Sequence, residues 1–211
     1  MNKKLAIIGA GGHAKVVLET ALLMQHWESI VFIDDNHKDK TEFMGFPLLG
    51  TSNLLGKTVT PQEYDIALGI GDNSARAQQF TEIEQLGFSF PVIVHPTAFV
   101  SRFASIGAGS VLFAQTAVNA GAVIGKAAII NTSASVDHDC ILDDFVHISP
   151  GANLAGNTRV GTHSWMGIGC CTRQGSSIGK DGIIGAGSAM IKDIPDGTTA
   201  VGIPAKILTQ E

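Results

Sequence analysis

The sequence predicts two architectures in tandem: an α/β unit over residues 1–90, half of a Rossmann-like fold, and a parallel β-helix over residues 91–211. Strand-like and helix-like segments alternate through the first part. In the second, an aliphatic residue or Met returns at every sixth position. Composition agrees: 25 Gly and only 6% aromatic residues suit repeated tight turns better than an aromatic-rich sandwich.

"KLAIIG" reads as a short buried strand, and "HAKVVLETALLMQH", with Val17, Leu18, Ala21 and Leu22 at helical spacing, as the helix after it. "SIVFIDD" and "YDIALGIG" are two further strands, and "SARAQQFTEIEQLG" is a second helix ending at Gly87. Gly9, Gly11 and Gly12 lie between the first strand and its helix, resembling a dinucleotide fingerprint. Ala14 stands where the third glycine belongs, and ninety residues are short for two mononucleotide halves. The pattern fits one nucleotide, its phosphates near the glycine turn and the helix N-terminus.

Reading one residue in six from Val94 gives Val100, Ile106, Leu112, Val118, Ile124 and Ile130, and the phase continues to Met190 with Thr172 as the polar exception. Four positions further on in each hexad stand small residues, among them Ala122, Ala128, Ala134, Cys140 and Ala152. Gly follows the aliphatic directly at 107, 125, 161, 167, 179 and 185, as a turn needing positive φ would require. Repeats of this kind bury their apolar face only by stacking on one another. The register resembles the hexapeptide-repeat acyltransferases. That resemblance implies a left-handed helix of three faces, a homotrimer, and acyl-CoA in the groove between neighbouring helices. "AVGIPAKIL" is similar to the tail that follows the helix in many members.

Within this lattice "SVDHDCILDDFVHISP", residues 135–150, carries two His and four Asp. Val136, Cys140, Leu142 and Val146 hold the inward phase, so Asp137, His138 and Asp139 fall on an outward turn and His147 ends its hexad. A carboxylate beside an imidazole orients it and raises its basicity, as a general base near neutral pH needs. Outward turns of a solenoid are polar by default, so position alone leaves a solvated surface pair as the commoner reading.

The longer stretch "NTSASVDHDCILDDFVHISPGANLAGN" resembles the nucleotide-amino-sugar N-acetyltransferases of bacillosamine biosynthesis, and equally their relatives, the sialic acid O-acetyltransferases. The resemblance implies His138 as general base with Asp139 tuning it, and His147, Ile168 and Ala186 as acetyl-CoA contacts. Asn131 matches a position lining the same cleft. The best-known members have Glu after the base, and Asp139 is one methylene shorter. The first ninety residues are similar to the same family's UDP-binding domain. They imply Gly11, Gly12, His13, Asp34, Asp35 and Gly71 as substrate contacts, the carboxylates accepting from uracil or ribose.

The function expected is acetyl transfer from acetyl-CoA to the amine of a UDP-linked 4-amino-4,6-dideoxy sugar, with O-acetylation of a sialic acid as the alternative. Acetyl-CoA is a cosubstrate, and no metal is expected. A β-helix metalloenzyme would need three histidines such as His138, His147 and His163 around zinc, and would leave the amino-terminal domain without a role. A nucleotide-sugar sensor would bind the sugar and ignore acetyl-CoA. Net charge is −5 without a basic block, which argues against nucleic acid. No apolar run approaches 18 residues, and "MNKKLAIIGAGGHAK" turns to glycine too early for a signal peptide, so no membrane partner is expected. Cys140, Cys170 and Cys171 show no ligand spacing and suit a reducing cytoplasm.

Overall fold

The computed structural model describes residues 3–36 and 40–208. Its first part runs β1 (Lys4–Ile8), α1 (Gly12–Met24), β2 (Ile30–Ile33), β3 (Glu42–Phe43), β4 (Phe46–Gly50), β5 (Tyr64–Leu68) and α2 (Asn73–Glu84). The sheet order is β3-β4-β2-β1-β5, with β2 and β5 parallel to β1 on either side. Continuous apolar runs such as Leu5–Ile8 suit these inner strands, which are covered on both faces. Helix α1 stops at Met24 rather than running to residue 26, because Gln25 turns left-handed (φ 51°) and donates its N–H to Leu22 O. Strand β4 was not visible in the sequence. It joins β2 after a two-residue hairpin whose central residues, Met44 and Gly45, both have positive φ.

From Ile93 the chain winds as a three-sided helix of two-residue strands. Ala117 pairs with Ser135 and Ser135 with Asn153, so each coil advances eighteen residues (135 − 117; 153 − 135). The first face carries Val111–Leu112, Ile129–Ile130, His147–Ile148, Trp165–Met166 and Ile183–Ile184. The second carries Ala117–Val118, Ser135–Val136, Asn153–Leu154 and Cys171–Thr172. The third carries Val123–Ile124, Ile141–Leu142, Arg159–Val160 and Ser177–Ile178. The two inward phases form one core in which Val118, Ala122, Ile130, Cys140, Leu142 and Ile148 are buried, as the sixfold pattern requires. At the open first coil, Val94, Val100 and Ile106 are only partly buried.

The expectation of positive φ directly after the aliphatic is wrong. Left-handed backbone falls three residues after it, at Gly109, Gln115, Gly121, Ala127, Ser133, Asp139, Phe145, Gly151, Asn157, His163, Gly169, Gly175, Asp181 and Gly187. The glycines just after the aliphatic answer a different need. A Cβ on Gly161 would come within 2.6 Å of Lys180 N, and one on Gly167 within 2.5 Å of Ile184 O, both on the next coil.

The two parts share their cores. Outward residues Ile93, Val111 and Ile129 of the first face pack in one cluster with Ala14, Val17, Leu18 and Ala21 of α1. Each such aliphatic removed from water contributes about 1.5–3 kcal/mol. On the other side Phe80 and Ile83 of α2 pack with Ala127 and Phe145. Arg76, 1% exposed, fastens this second contact. Its Nε donates to Ala127 O (2.8 Å), Nη1 to Gly71 O (3.0 Å), and Nη2 to Asn73 Oδ1 (2.7 Å) and Phe145 O (2.9 Å). No helix among the described residues is long and apolar enough to cross a membrane.

Candidate active site

His138 and Asp139 sit on the corner between the second and third faces. Asp139 occupies the left-handed position of its turn (φ 58°), a conformation Asp tolerates better than most residues. From there its Oδ2 lies 2.8 Å from His138 Nδ1, so the shorter carboxylate does reach the imidazole. Asp137 shapes the same turn. Its Oδ1 accepts from the backbone N–H of His138 and from Asn119 Nδ2, each at 2.8 Å, and these bonds hold its carboxyl below the ordinary range. His138 is pushed above its ordinary value, first by the hydrogen bond to Asp139 and then by the charge of Asp137. Gly156 stands one coil on at the same corner, and a Cβ there would lie 2.5 Å from His138 Nε2. The ring lies over the space that a side chain at 156 would fill.

His147 is elsewhere. It continues the outward ladder of the first face one coil beyond Ile129, where the cover given by α1 ends. His13, at the start of α1, faces it with ring centroids 6.5 Å apart and meets Phe113 edge-on at 5.4 Å. Trp165 stacks on the other side of His147 at 5.7 Å and 6° between planes, held by its own Nε1 donating to Ser149 Oγ (2.7 Å). Asn131 Nδ2 is 3.2 Å from His147 Nε2. Burial, with help from the Arg76 cation, keeps His147 down at about 4. Burial, with help from His147 and Arg76, keeps His13 at about 3. Both imidazoles are therefore neutral at physiological pH. A cleft of about 500 Å³ opens beside them, lined by Gly71, Asp72, Asn73, His147, His163 and Trp165 among others.

A second cavity, of about 350 Å³, lies at the carboxyl ends of β1, β2 and β5, where open α/β sheets place their ligands. Gly11, Asp34 and Asp35 line it, with Gly9, Asn36 and Ser52. Asp34 is not simply turned outward to a ligand. Its Oδ2 accepts from Ala10 N–H (2.6 Å) and its Oδ1 from Asn36 N–H (2.7 Å), so it ties the glycine turn to the end of β2. Asp35 Oδ1 accepts from both the N–H and the hydroxyl of Ser52. Gly11 caps α1 without a side-chain bond, and a Cβ on Gly11 or Gly12 would meet open space. Gly71 lines the cleft beside His147 rather than this cavity, and a Cβ there would lie 3.8 Å from His13 Cβ. Ile168 and Ala186 stack on the corner between the first and second faces, joined by Gly187 N–H donating to Ile168 O (2.8 Å). Ile168 is 61% exposed, so ordinary coil packing does not account for its side chain.

One chain thus gathers His13, Asn131, His147 and Gly71 on one side of the solenoid and sets His138 with Asp139 on the corner opposite its first face. Among the described residues no group of three His, Cys, Asp or Glu stands ready to hold a metal. The sequence reading missed Arg76, Trp165 and Gly156. Arg76 was findable, since it shares the spacing of Phe80 and Ile83 on the buried face of α2.

Comparison with known proteins bears on the fold and the activity. The family described as PglD N-terminal domain matches residues 4–83. GDP-perosamine N-acetyltransferase from Escherichia coli is 28% identical over 84% of this chain and 81% of its own. The acetyltransferase domain of PglB from Neisseria gonorrhoeae, solved in complex with acetyl coenzyme A, is 48% identical with a TM-score of 0.95, covering 99% of this chain and 100% of that one. PerB from Caulobacter crescentus, solved with CoA and GDP-perosamine, is 36% identical with a TM-score of 0.93 over 99% of each chain. With its sixfold core and its half-Rossmann amino terminus, this chain is an acetyltransferase and belongs to the hexapeptide-repeat, left-handed β-helix acyltransferase family.

Proposed function

We propose that the chain transfers the acetyl group of acetyl-CoA to the amine of a UDP-linked 4-amino-4,6-dideoxy sugar. The observation that carries this reading is the His138–Asp139 pair, bonded at 2.8 Å on an exposed corner. Residues 1–90 hold the nucleotide in the cavity of Gly11, Asp34 and Asp35, and residues 91–211 hold the acetyl donor along Ile168 and Ala186. Three copies assemble, so that His138 of one copy faces the His147 cleft of the next. Acetyl-CoA and nucleotide sugars put the work in the cytoplasm.

With Asp139 holding Nδ1–H, His138 keeps Nε2 as its acceptor. As the sugar amine attacks the thioester carbonyl, the C–N bond forms and Nε2 takes the amine proton. The tetrahedral oxyanion is met by a donor, His147 or a backbone N–H. The C–S bond then breaks, and the proton passes to the departing thiolate of CoA. A neutral amine is nucleophilic enough that neither a covalent enzyme intermediate nor a metal is needed.

A second reading keeps the chemistry and changes the nucleotide to GDP, favoured by the two relatives whose names specify GDP-perosamine. Both being N-acetyltransferases or their complexes with an amino sugar favours an amine over the hydroxyl of a sialic acid. The test is CoA release from acetyl-CoA with UDP- and GDP-linked 4-amino-4,6-dideoxy sugars and with sialic acids, for wild type and His138→Ala. Turnover with the UDP sugar that collapses in the variant supports the proposal. Turnover with only the GDP sugar or a sialic acid overturns the acceptor, and an unimpaired variant overturns the base.

A further inference from the structure

Two imidazoles serve one reaction in this reading, and geometry separates their duties. Asn131 Oδ1 accepts the backbone N–H of Thr132 at 2.9 Å. A peptide N–H can only donate, so the oxygen of the Asn131 amide is the atom facing it, and the NH₂ faces His147. Nδ2 of Asn131 lies 3.2 Å from His147 Nε2. An amide NH₂ can only donate, so Nε2 must accept, and in a neutral ring the proton then resides on Nδ1. The ring plane is set independently by Trp165, which stacks on it and is itself fixed through Ser149.

We infer that Asn131 is a positioning residue that fixes the tautomer of His147, making its Nδ1–H a permanent donor in the cleft, so that His147 donates and His138 alone acts as base. This rests on the acetyl-transfer reading for its use, though the tautomer itself does not depend on any substrate. The charged and titratable groups around the ring are His13 on α1, Arg76 and Asp72 at the start of α2, and His163 with Asp181 on the adjoining corner. Burial and the Arg76 cation both oppose protonation of the ring, so it stays neutral over the assay range.

The experiment is nitrogen NMR of the imidazoles in histidine-labelled full-length protein, with His147→Gln to assign the resonance. Wild type should show His147 protonated at Nδ1, the tautomer that free histidine disfavours, without titration across neutral pH. Asn131→Asp, of the same size, presents only acceptors. It should move the proton to Nε2, make the ring titrate at higher pH, and lower kcat on the order of 10²-fold, as loss of an oxyanion donor does. Asn131→Ala should give a mixture of tautomers with a smaller loss of kcat. Finding Nε2–H on His147 in the wild type, or an unchanged tautomer in Asn131→Asp, overturns the inference. A protein that shows the Nδ1–H tautomer yet acetylates no amino sugar would leave the tautomer standing and sink the functional reading alone.

Discussion

Replacing Gly156 with Ala isolates the placement of His138 from the folding of the coil. Gly156 has no left-handed φ, so Ala suits its backbone there. Gly→Ala at such a position stabilises by about 0.4–1 kcal/mol through the unfolded chain, provided nothing clashes. Something does clash: the new methyl would lie 2.5 Å from His138 Nε2 and 2.6 Å from Cε1, against an ordinary contact beginning at 3.4 Å. The imidazole must then retreat by about 0.9 Å (3.4 − 2.5). It is on an exposed corner and free to do so, so the cost falls on geometry rather than on stability. A displacement of about 1 Å in a reacting group costs on the order of 10²-fold in rate. The assay pairs steady-state CoA release with thermal unfolding. The expected outcome is kcat down on the order of 10²-fold with an unfolding temperature equal to wild type or slightly higher. A kcat within twofold of wild type would refute the claim that His138 works from this position over Gly156.

Asp139→Asn removes the largest influence raising His138. A base must be unprotonated to act, and a raised value means activity is lost as pH falls through it, so the acid limb of kcat/KM should move to lower pH in this variant. An unmoved or alkaline-shifted limb in the pH profile would contradict the assigned pair. Arg76→Leu strands the carbonyls of Ala127, Gly71 and Phe145 and should cost about 3 kcal/mol in urea unfolding. A loss under about 1 kcal/mol would mean that Arg76 does not fasten the two parts together. His13 and His147 are held at about 3 and about 4, below the ordinary 6.5. Their contribution is fully present above pH 6.5 and is lost as pH falls toward those values, with a slope of about 1.4 kcal/mol per pH unit for each group. Urea midpoints followed from pH 7 to pH 4 should fall accordingly, and less steeply in His13→Phe.

The solenoid was legible because its code is one-dimensional: an inward residue every six positions leaves the same trace whatever the coils later touch. The α/β unit was half legible. Its buried strands are apolar runs, but β4 carries Pro47 and ends at Gly50, and its hairpin turns on Met44, a residue without turn character. The roles of glycine were misread for a physical reason. Sequence shows that a side chain is missing but not whether φ or a neighbouring coil demands it. For the site, the turn of His138 was placed by phase alone, and its bond to Asp139 required coordinates. Asp34 lines the cavity as a ligand contact would, and its bonds to the N–H groups of Ala10 and Asn36 could be seen only in coordinates. The packing of His13 against Phe113 and near His147 was not legible, since the docking of α1 on the first face has no sequence period.

The eighteen-residue coil also makes the protein a ruler. Around the solenoid axis, a residue's bearing depends on its number counted in eighteens, so Ile168 and Ala186 share one bearing and differ only in height. One coil is one strand spacing, about 4.8 Å. Inserting a whole coil between His147 and Ile168 would slide Ile168 and Ala186 along the axis by that step without rotating them. Inserting six residues instead would turn everything beyond the insertion onto the next face. Distances between His147 and a corner residue at a given bearing are therefore available to such a protein only in increments of a coil.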